Sequence, residues 1–293
     1  MNCVVGANGF LGSALACRLE SAGVRPYRFT RSDRWEDEPS ARIREDTRVV
    51  FWLAGSVNPA TADLNADLID ADLTALSAFA DTVRSSSIRR VVFASSGGTV
   101  YDVAAAPPYA ETGPTGPRST YGRYKLRQEK LLGELLPQDV ELVVLRIANA
   151  YGPGQPVGTG QGVVAYWLDA ARKGQPPVLF GAPETTRDFT YIDDVAGAFA
   201  HFGEVPLGSP REVFNIGSGT PTRLGDLAGM IMDIAEKPAL RVDARPARAF
   251  DVPHMWLDPL RASDAGWRPR TSLRWGASIV RSRGPGWSCW PLS

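Results

Sequence analysis

The sequence predicts an α/β fold in which a parallel sheet is covered by helices on both faces. Three short runs, at 3–5, 49–53 and 91–94, are wholly apolar, as strands buried on both faces of a sheet are. Between them, the segments at 10–22 and 67–83 carry apolar residues at helical spacing. Strands that alternate with helices in this way are typical of a parallel sheet.

The pattern continues beyond these elements and then changes. Further strands are predicted at 27–30 and 142–146, and a helix at 119–136 ends before Pro137. From residue 152 onward, glycine- and proline-rich loops interrupt the alternation.

We therefore predict one domain at 1–151 and a smaller α/β domain at 152–293. The segment around 187–218 is expected to return to the sheet of the first domain. The stretch 281–293 shows no periodicity and carries no motif.

Composition argues against several classes of function. The 32 basic and 32 acidic residues give a formal net charge of zero, so nothing favours nucleic acid or an anionic membrane as a partner. There is no signal-peptide pattern and no run of about 20 apolar residues that could span a bilayer, and we expect a cytoplasmic protein. The three cysteines and two histidines are widely scattered, so we predict neither a disulfide framework nor a metal site.

Three glycines separate the first strand from the first helix. Gly6 would permit a tight turn, Gly9 would let the backbone approach a pyrophosphate, and Gly12 would let the helix pack closely. A simple glycine turn is the alternative, but the position directly after the first strand favours dinucleotide binding. The residues predicted to contact the cofactor here are Gly6, Asn8, Gly9, Phe10, Leu11 and Gly12.

The end of the second strand bears on the type of cofactor. A carboxylate commonly binds the ribose of NAD there, but this chain has Thr30 and Arg31, which suit a 2′-phosphate better. Arg31 is equally well explained as a solvated loop cation, and Asp33 could still reach the ribose. We expect NAD or NADP, with NADP tolerated because of Thr30 and Arg31.

The end of the third strand is expected to meet the middle of the cofactor. Leu53, Ala54 and Gly55 occupy that position. On residue type alone, a turn that merely ends the strand explains them nearly as well.

Tyr121 and Lys125 lie four residues apart on the helix predicted at 119–136, and so on one face of it. A neighbouring ammonium lowers the pKa of a phenol, which would let Tyr121 exchange a proton near neutral pH. Such a pair is common by itself. It is informative here because the glycine turn and a serine loop precede it.

That serine loop follows the strand at 91–94, on the sheet edge where ligands bind. The hydroxyl of Ser96 could stabilise charge on a reacting oxygen, whereas Ser95 fits an ordinary loop and Thr99 is a fallback. Glycine turn, serine and Tyr-Lys helix, in this order, indicate oxidoreduction of an alcohol or ketone.

Three charged residues in the second half are candidates for binding an anionic substrate. Arg187 could pair with a phosphate, although a surface ion pair with Asp188 explains it as well. By residue type, Arg248 fits a phosphate and Asp251 a sugar hydroxyl, but neither residue is evidence on its own.

Together these motifs resemble the extended short-chain dehydrogenase/reductase family, especially its nucleotide-sugar 4-epimerases and 4-ketoreductases. The resemblance extends from residue 1 to about 275 and is carried by the segments 6–12, 95–101, 121–125, 146–154, 186–194 and 217–219. The chain departs from the family pattern between Thr30 and Phe51, where the interval is short and shows no clear third strand followed by an aspartate.

The resemblance implies a Rossmann-type doubly wound parallel sheet with a smaller C-terminal substrate-binding domain. It makes Tyr121 the acid/base and Lys125 its electrostatic partner and a ligand of the nicotinamide ribose, with Ser96 as the hydroxyl. It also implies that the substrate contacts Ser96, Asn149, Arg187, Arg248 and Asp251. A homodimer that packs the helix at 119–136 against its mate is implied as well.

The implied reaction is NAD(P)-dependent oxidoreduction at a hexose carbon, C4 foremost, of a nucleoside-diphosphate sugar. A 4-epimerase is the first expectation. An NADPH-dependent 4-ketoreductase would use the same three residues and stays open. A non-catalytic redox sensor is a distant third, because the serine, tyrosine and lysine are all present.

Overall fold

The computed structural model describes residues 1–30, 32–33, 45–247 and 251–283, and a six-stranded parallel sheet forms its centre. The strands, in chain order, are β1 Asn2–Val5, β2 Tyr27–Phe29, β3 Val49–Trp52, β4 Arg90–Ser96, β5 Glu141–Ile147, β6 Asn149–Tyr151, β7 Val178–Phe180, β8 Thr186–Arg187, β9 Phe189–Tyr191, β10 Arg211–Ile216, β11 Thr222–Arg223, β12 Asp243–Arg245 and β13 His254–Met255. The central sheet has the order β10-β5-β4-β3-β1-β2. The predicted α/β class and parallel sheet are confirmed.

Helices cover both faces of this sheet. They are α1 Phe10–Ser21, α2 Ala66–Val83, α3 Gly97–Val100, α4 Thr120–Leu135, α5 Val163–Arg172, α6 Ile192–Glu204, α7 Leu224–Ile234, α8 Leu260–Asp264 and α9 Leu273–Arg283, with a 3₁₀ turn at Ala62–Leu64. None of the helices in the described part of the chain is long and apolar enough to cross a membrane.

The pleat of the strands sends alternate side chains into two different cores. Val50 packs in one core with α2 and α4, and the next residue, Phe51, packs in the other with α1 and α6. Because β1 lies between β2 and β3, the chain leaves the sheet in opposite directions on either side of it. A crevice forms at the carboxyl ends of the strands where the winding reverses in this way, and ligands of such folds bind there.

Within the described residues, β2 is one of the two edge strands of the sheet, opposite β10. Residues 31 and 34–44, where the sequence departs from the family pattern, lie outside the described part of the chain.

The second half of the chain is divided between the central sheet and a further core. Strand β10 pairs in parallel with β5, with Val213 opposite Val144. Strands of the two-stranded sheets pack with α5, α7 and α9 around Trp167, Leu227 and Ile231. The proposed boundary at 151/152 stays a prediction.

Cys3 is a buried free thiol, but Cys17 on α1 is disulfide-bonded. Three scattered cysteines do not reveal such a bond, because pairing depends on separation in space and not along the chain.

Candidate active site

The glycine turn after β1 is built around contacts that exclude side chains. Gly6 has a φ of +82°, and a Cβ added there would lie 2.8 Å from the amide nitrogen of Ala54. A Cβ on Gly12 would clash with the carbonyl oxygen of Gly6. The glycines thus bring the end of β1, the start of α1 and the end of β3 together.

The amino terminus of α1 is prepared for an anion. No side chain caps it, and its first turn contains no acidic residue. Asn8 and Gly9 are exposed on the turn, whereas Phe10 and Leu11 are half-buried and pack against the core of the second half. The backbone amides at the start of α1 can therefore bind a pyrophosphate.

A carboxylate lies at the end of β2. The backbone nitrogen and the hydroxyl of Thr30 donate to Oδ2 of Asp33 at 2.6 and 2.8 Å. Arg31 lies outside the described residues. The aspartate is three residues beyond the usual position in sequence, but it folds back to the strand end, where a carboxylate suits a ribose diol better than a 2′-phosphate.

The end of β3 is tied to α2 by an aspartate that the sequence analysis did not single out. Asp72 accepts hydrogen bonds from the backbone nitrogen and the hydroxyl of Ser56, both at 2.7 Å, and from the hydroxyl of Tyr124 at 2.8 Å. A Cβ added to Gly55 would lie 3.6 Å from that hydroxyl and 4.0 Å from Nζ of Lys125. Only the fold brings these residues together, and an aspartate inside a helix gives no sequence signal for it.

Helix α4 is fixed at its start by a cap and a close contact. The Ser119 side chain accepts a hydrogen bond from the Gly122 nitrogen at 3.0 Å. A Cβ on Gly122 would clash with the carbonyl oxygen of Thr99 and lie 2.7 Å from Cβ of Pro117. The glycine inside the Tyr-x-x-x-Lys segment thus allows α4 to lie directly on α3, which sets the position of Tyr121 and Lys125.

Lys125 is buried and partly satisfied. Its Nζ donates to the carbonyl oxygen of Ala94 at 3.1 Å and lies 5.8 Å from the centre of the Tyr121 ring. Burial lowers the pKa of Lys125 to about 8, while the charges of Asp72 and Glu129 act in the opposite direction. An ammonium has three donors, so two remain for a ligand.

The structure changes the expectation for the Tyr121 phenol. Burial raises its pKa to about 12, whereas the sequence argument expected the neighbouring ammonium to lower it. In this structure, the loss of water around the phenolate sets the direction of the Tyr121 pKa.

The two serines at the end of β4 have different environments. Ser95 is buried and donates to Oε1 of Glu129, whereas Ser96 is half-buried at the start of α3 and its side chain does not cap that helix. Among the described residues, neither the Ser96 hydroxyl nor the Tyr121 hydroxyl has a hydrogen-bond partner. The hydroxyl of Thr99 is buried and equally lacks one in that part of the chain.

Glu129 and Arg146 form a buried ion pair below this edge. Nη2 and Nε of Arg146 lie 2.8 and 3.2 Å from the Glu129 carboxylate oxygens. The guanidinium also lies 5.0 Å from the centre of the Tyr101 ring. This cluster joins α4 to β5 and to the segment after β4.

Arg187 and Asp251, both predicted to bind substrate, are brought together. Nη2 of Arg187 lies 3.8 Å from Oδ1 of Asp251, and Nη1 donates to the carbonyl oxygen of Val252 at 2.6 Å. The alternative partner, Asp188, instead accepts hydrogen bonds from Ser218. Arg248 lies outside the described residues.

Asn149 is also engaged with the chain itself. Its backbone nitrogen and its Nδ2 both donate to the carbonyl oxygen of Asp188, at 3.0 and 2.8 Å. Burial raises the pKa of the Asp188 carboxyl, and its hydrogen bonds with Ser218, Leu257 and Gly219 act against that rise. These bonds join β6, β9 and the loop after β10 beside the crevice.

Comparison with known proteins assigns the chain to a family. A model of the NAD dependent epimerase/dehydratase family matches residues 2–217. The chain belongs to this family, and the resemblance seen in the sequence is confirmed.

Individual relatives cover nearly the whole chain. A UDP-glucose 4-epimerase of Mycolicibacterium smegmatis is 30% identical in an alignment that covers 93% of this chain and 95% of that protein. A dTDP-4-dehydro-6-deoxyglucose reductase of Escherichia coli is 28% identical over 92% of this chain and 93% of its own length. The fold matches the crystal structure of a UDP-glucose 4-epimerase with UDP-glucose from Thermotoga maritima with a TM-score of 0.86, at 27% identity and with 97% and 98% of the two chains covered.

Proposed function

We propose that the chain is a nucleotide-sugar 4-epimerase that oxidises and re-reduces C4 of a nucleoside-diphosphate hexose with bound NAD. The observation that carries this proposal is the set of Ser96, Tyr121 and Lys125 at the carboxyl edge of the sheet. The two hydroxyls and the ammonium carry five hydrogen-bond donors. Within the described residues, only one of these donors, on Lys125, has a partner. The epimerases among the relatives support the same reaction.

The residues present fit NAD. The turn from Gly6 to Gly12 and the amino terminus of α1 would hold the pyrophosphate, and Asp33 lies where the adenosine ribose is expected. The two remaining donors of Lys125 suit the hydroxyls of the second ribose. When bound, NAD supplies a hydride acceptor that can also return the hydride.

Tyr121 is the proposed acid and base. Its phenolate oxygen takes the proton from the C4 hydroxyl as the carbonyl forms, and its phenol returns a proton when the alcohol forms again. Because burial favours the neutral phenol, the phenolate needs a nearby positive charge, which the Lys125 ammonium provides. Ser96 would donate a hydrogen bond to the sugar oxygen and so stabilise it during transfer.

The substrate diphosphate is proposed to bind beside β8. Arg187 is positioned by two backbone carbonyls and paired with Asp251, so its guanidinium is held in place before substrate arrives. Asn149 lies next to Asp188 and would contribute its remaining amide groups. A homodimer through α4 belongs to this proposal as well.

The cofactor in the purified protein tests the proposal. Protein would be denatured, the released nucleotide identified, and native protein incubated with UDP-galactose or UDP-glucose without added cofactor. Retained NAD and interconversion of the two sugars are the expected result. A matched sample of the Tyr121→Phe protein should contain NAD and convert neither sugar.

A 4-ketoreductase is the second candidate, because the Escherichia coli relative is a reductase that covers nearly the same length. It predicts protein without retained nucleotide that oxidises added NADPH when a nucleoside-diphosphate 4-keto-6-deoxyhexose is supplied. That outcome, with no cofactor-free interconversion, would replace the epimerase assignment.

A further inference from the structure

Two carboxylates act on the Lys125 ammonium, and they differ in their own partners. Glu129, on the same helix, is paired with Arg146 at 2.8 Å and accepts a hydrogen bond from Ser95. Asp72, on α2, has no basic side chain within ion-pair distance among the described residues. The charge of Glu129 is therefore largely compensated by its own cation, whereas the charge of Asp72 is not.

Asp72 is held rigidly at this place. Its Oδ2 accepts from the Ser56 nitrogen and the Tyr124 hydroxyl, and its Oδ1 accepts from the Ser56 hydroxyl, all within 2.7 to 2.8 Å. Tyr124 is almost wholly buried, and burial together with Asp72 raises the pKa of its phenol, so it serves as a neutral donor.

The same bonds set the distance between the cofactor crevice and the lysine. Ser56 follows Gly55, and a Cβ on Gly55 would lie 4.0 Å from Nζ of Lys125. Tyr124 precedes Lys125 on α4. Asp72 thus fixes Ser56, which is next to Gly55, and Tyr124, which is next to Lys125.

We propose that Asp72 is a positioning residue of the active site that holds the Gly55–Ser56 turn against Lys125 and supplies the uncompensated negative charge that keeps Lys125 protonated. This inference rests on the proposed function, in which Lys125 stabilises the Tyr121 phenolate. Burial alone works against the charged form of a lysine, so an ammonium in this position needs such a counter-charge.

Four titratable groups of the described residues face Lys125. From α4 they are the phenols of Tyr121 and Tyr124 and the carboxylate of Glu129, and from α2 the carboxylate of Asp72. Strand β4 contributes a ring and a backbone carbonyl, neither of which titrates. Asp72 is thus the one facing carboxylate, within the described chain, that can be neutralised without breaking an ion pair.

Asp72→Asn removes the charge while keeping the shape. The amide oxygen can accept from the Ser56 nitrogen and from Tyr124, and the Ser56 hydroxyl can rotate to accept from the amide nitrogen. The chain has four lysines, Lys125, Lys130, Lys173 and Lys237, and all but Lys125 are exposed. Protein labelled with ¹³C at lysine Cε can therefore report the titration of Lys125 directly by NMR, without any assay of activity.

We expect the midpoint of the Lys125 titration to fall by about one pH unit in Asp72→Asn. The matched control is Asp70→Asn, on the same helix, where the carboxylate is 75% exposed and 4.0 Å from Arg127. It should leave the midpoint unchanged because an exposed charge is screened. Asp72→Glu, which keeps the charge, should restore most of the shift.

An unchanged midpoint in folded Asp72→Asn would overturn the proposal. If that variant does not fold, Asp72→Glu and Tyr124→Phe still test it, because both keep the carboxylate and should keep the midpoint near that of the wild type. A large fall in either would contradict the assigned role of the charge.

Activity provides the second measurement. If protonated Lys125 is required, turnover falls as the pH rises through its pKa, so the alkaline limb of kcat should move to lower pH in Asp72→Asn and not in Asp70→Asn. Wild-type protein that converts no sugar would count against the proposed function alone, because the NMR titration would still decide whether Asp72 controls Lys125.

Discussion

Two neighbouring polar clusters on β4 and α4 differ in how they use their hydrogen-bonding groups. In the anchoring cluster, defined here as Ser95, Glu129 and Arg146, the carboxylate binds both partners. The second cluster, Ser96, Tyr121 and Lys125, is the one that we propose to be catalytic, and we call it the catalytic cluster; its two hydroxyls have no partner among the described residues.

The two clusters are offset by one residue on the strand and by one helical turn on α4. Alternation along β4 turns Ser95 toward Glu129 and leaves Ser96 at the crevice. Ser96 and Tyr121 are half-buried, so their hydroxyls stay open to a ligand, whereas the groups of the anchoring cluster bind one another. Changes in the catalytic cluster should therefore act on activity, and changes in the anchoring cluster on stability.

The largest effect is expected for Tyr121→Phe in the catalytic cluster. Proton transfer by a positioned group contributes about 10²–10⁴-fold, so turnover should fall at least that much, while NAD stays bound and the fold keeps its stability. Turnover and retained nucleotide are the measurements. Tyr166→Phe, a half-buried tyrosine on α5, is the control and should keep full activity; a Tyr121→Phe protein that works at the same rate would refute the assignment.

In the anchoring cluster, Glu129→Gln should lower stability instead. Breaking a buried ion pair leaves Arg146 with an uncompensated charge and costs about 3–5 kcal/mol of unfolding free energy. Urea unfolding measures the loss. Glu134→Gln, on the same helix and 61% exposed beside Lys130, should cost less than about 1 kcal/mol. Equal stability of the two variants would mean that the buried pair contributes nothing.

The sequence was sufficient for the parallel sheet and for the helix that carries Tyr121 and Lys125, because both follow from local periodicity; the catalytic role of these residues stays a prediction. Apolar runs mark buried strands, and a spacing of four marks one face of a helix. The helix predicted at 119–136 is observed as Thr120–Leu135, with Ser119 as its cap.

What the sequence could not predict depends on long-range contacts. Asp72 meets Tyr124 across 52 residues, and Glu129 meets Arg146 from a different element. The direction of the Tyr121 pKa was wrong because spacing along a helix places two groups on one face but says nothing about how much water surrounds them. Arg187 likewise pairs with distant Asp251 and not with its neighbour Asp188.

Arg187 tests whether a residue with many protein partners can still bind substrate. Arg187→Ala should weaken UDP or UDP-sugar binding by about 10- to 100-fold, since hydrogen bonds to charged groups contribute about 1.5–3 kcal/mol. Isothermal titration with UDP measures this, and NAD binding should not change. The Arg84→Ala protein, altered at an exposed arginine directly after α2, is the control. A loss of stability with unchanged UDP affinity would mean that Arg187 stabilises the fold and does not bind the substrate.

Lys125→Met should stabilise the protein by about 1 kcal/mol at neutral pH while abolishing turnover. Burial lowers the pKa of Lys125 from 10.5 to about 8, so the folded state binds the proton less tightly than the unfolded state does. Each unit of that difference in pKa corresponds to about 1.4 kcal/mol in favour of the mutant. The loss of the hydrogen bond to Ala94 offsets part of this gain.

The sign of the pH dependence follows from the same difference. Between pH 8 and 10.5 the unfolded chain holds more protons at this site, so the stability of the wild type gains a contribution as the pH rises through this interval. Lys125→Met should lack that contribution, which thermal unfolding across the interval would show. A mutant that is less stable at neutral pH would contradict the cost assigned to the buried ammonium.

The smallest effect is expected at the end of β2, where two neighbouring residues of opposite charge should act in opposite directions. The Asp33 carboxylate is fixed by Thr30, and a like charge about 4 Å from a 2′-phosphate costs roughly 1 kcal/mol in water. Asp33→Asn should therefore raise NADPH affinity about fivefold and change NADH affinity little. Arg31→Ala should lower NADPH affinity, as expected if NADP is tolerated through Thr30 and Arg31. Fluorescence titration of both cofactors into the three proteins separates these effects. If neither change alters the ratio of the two affinities, the end of β2 does not contact the adenosine ribose. The Asp33 carboxylate would then serve only to fix Thr30 in the fold.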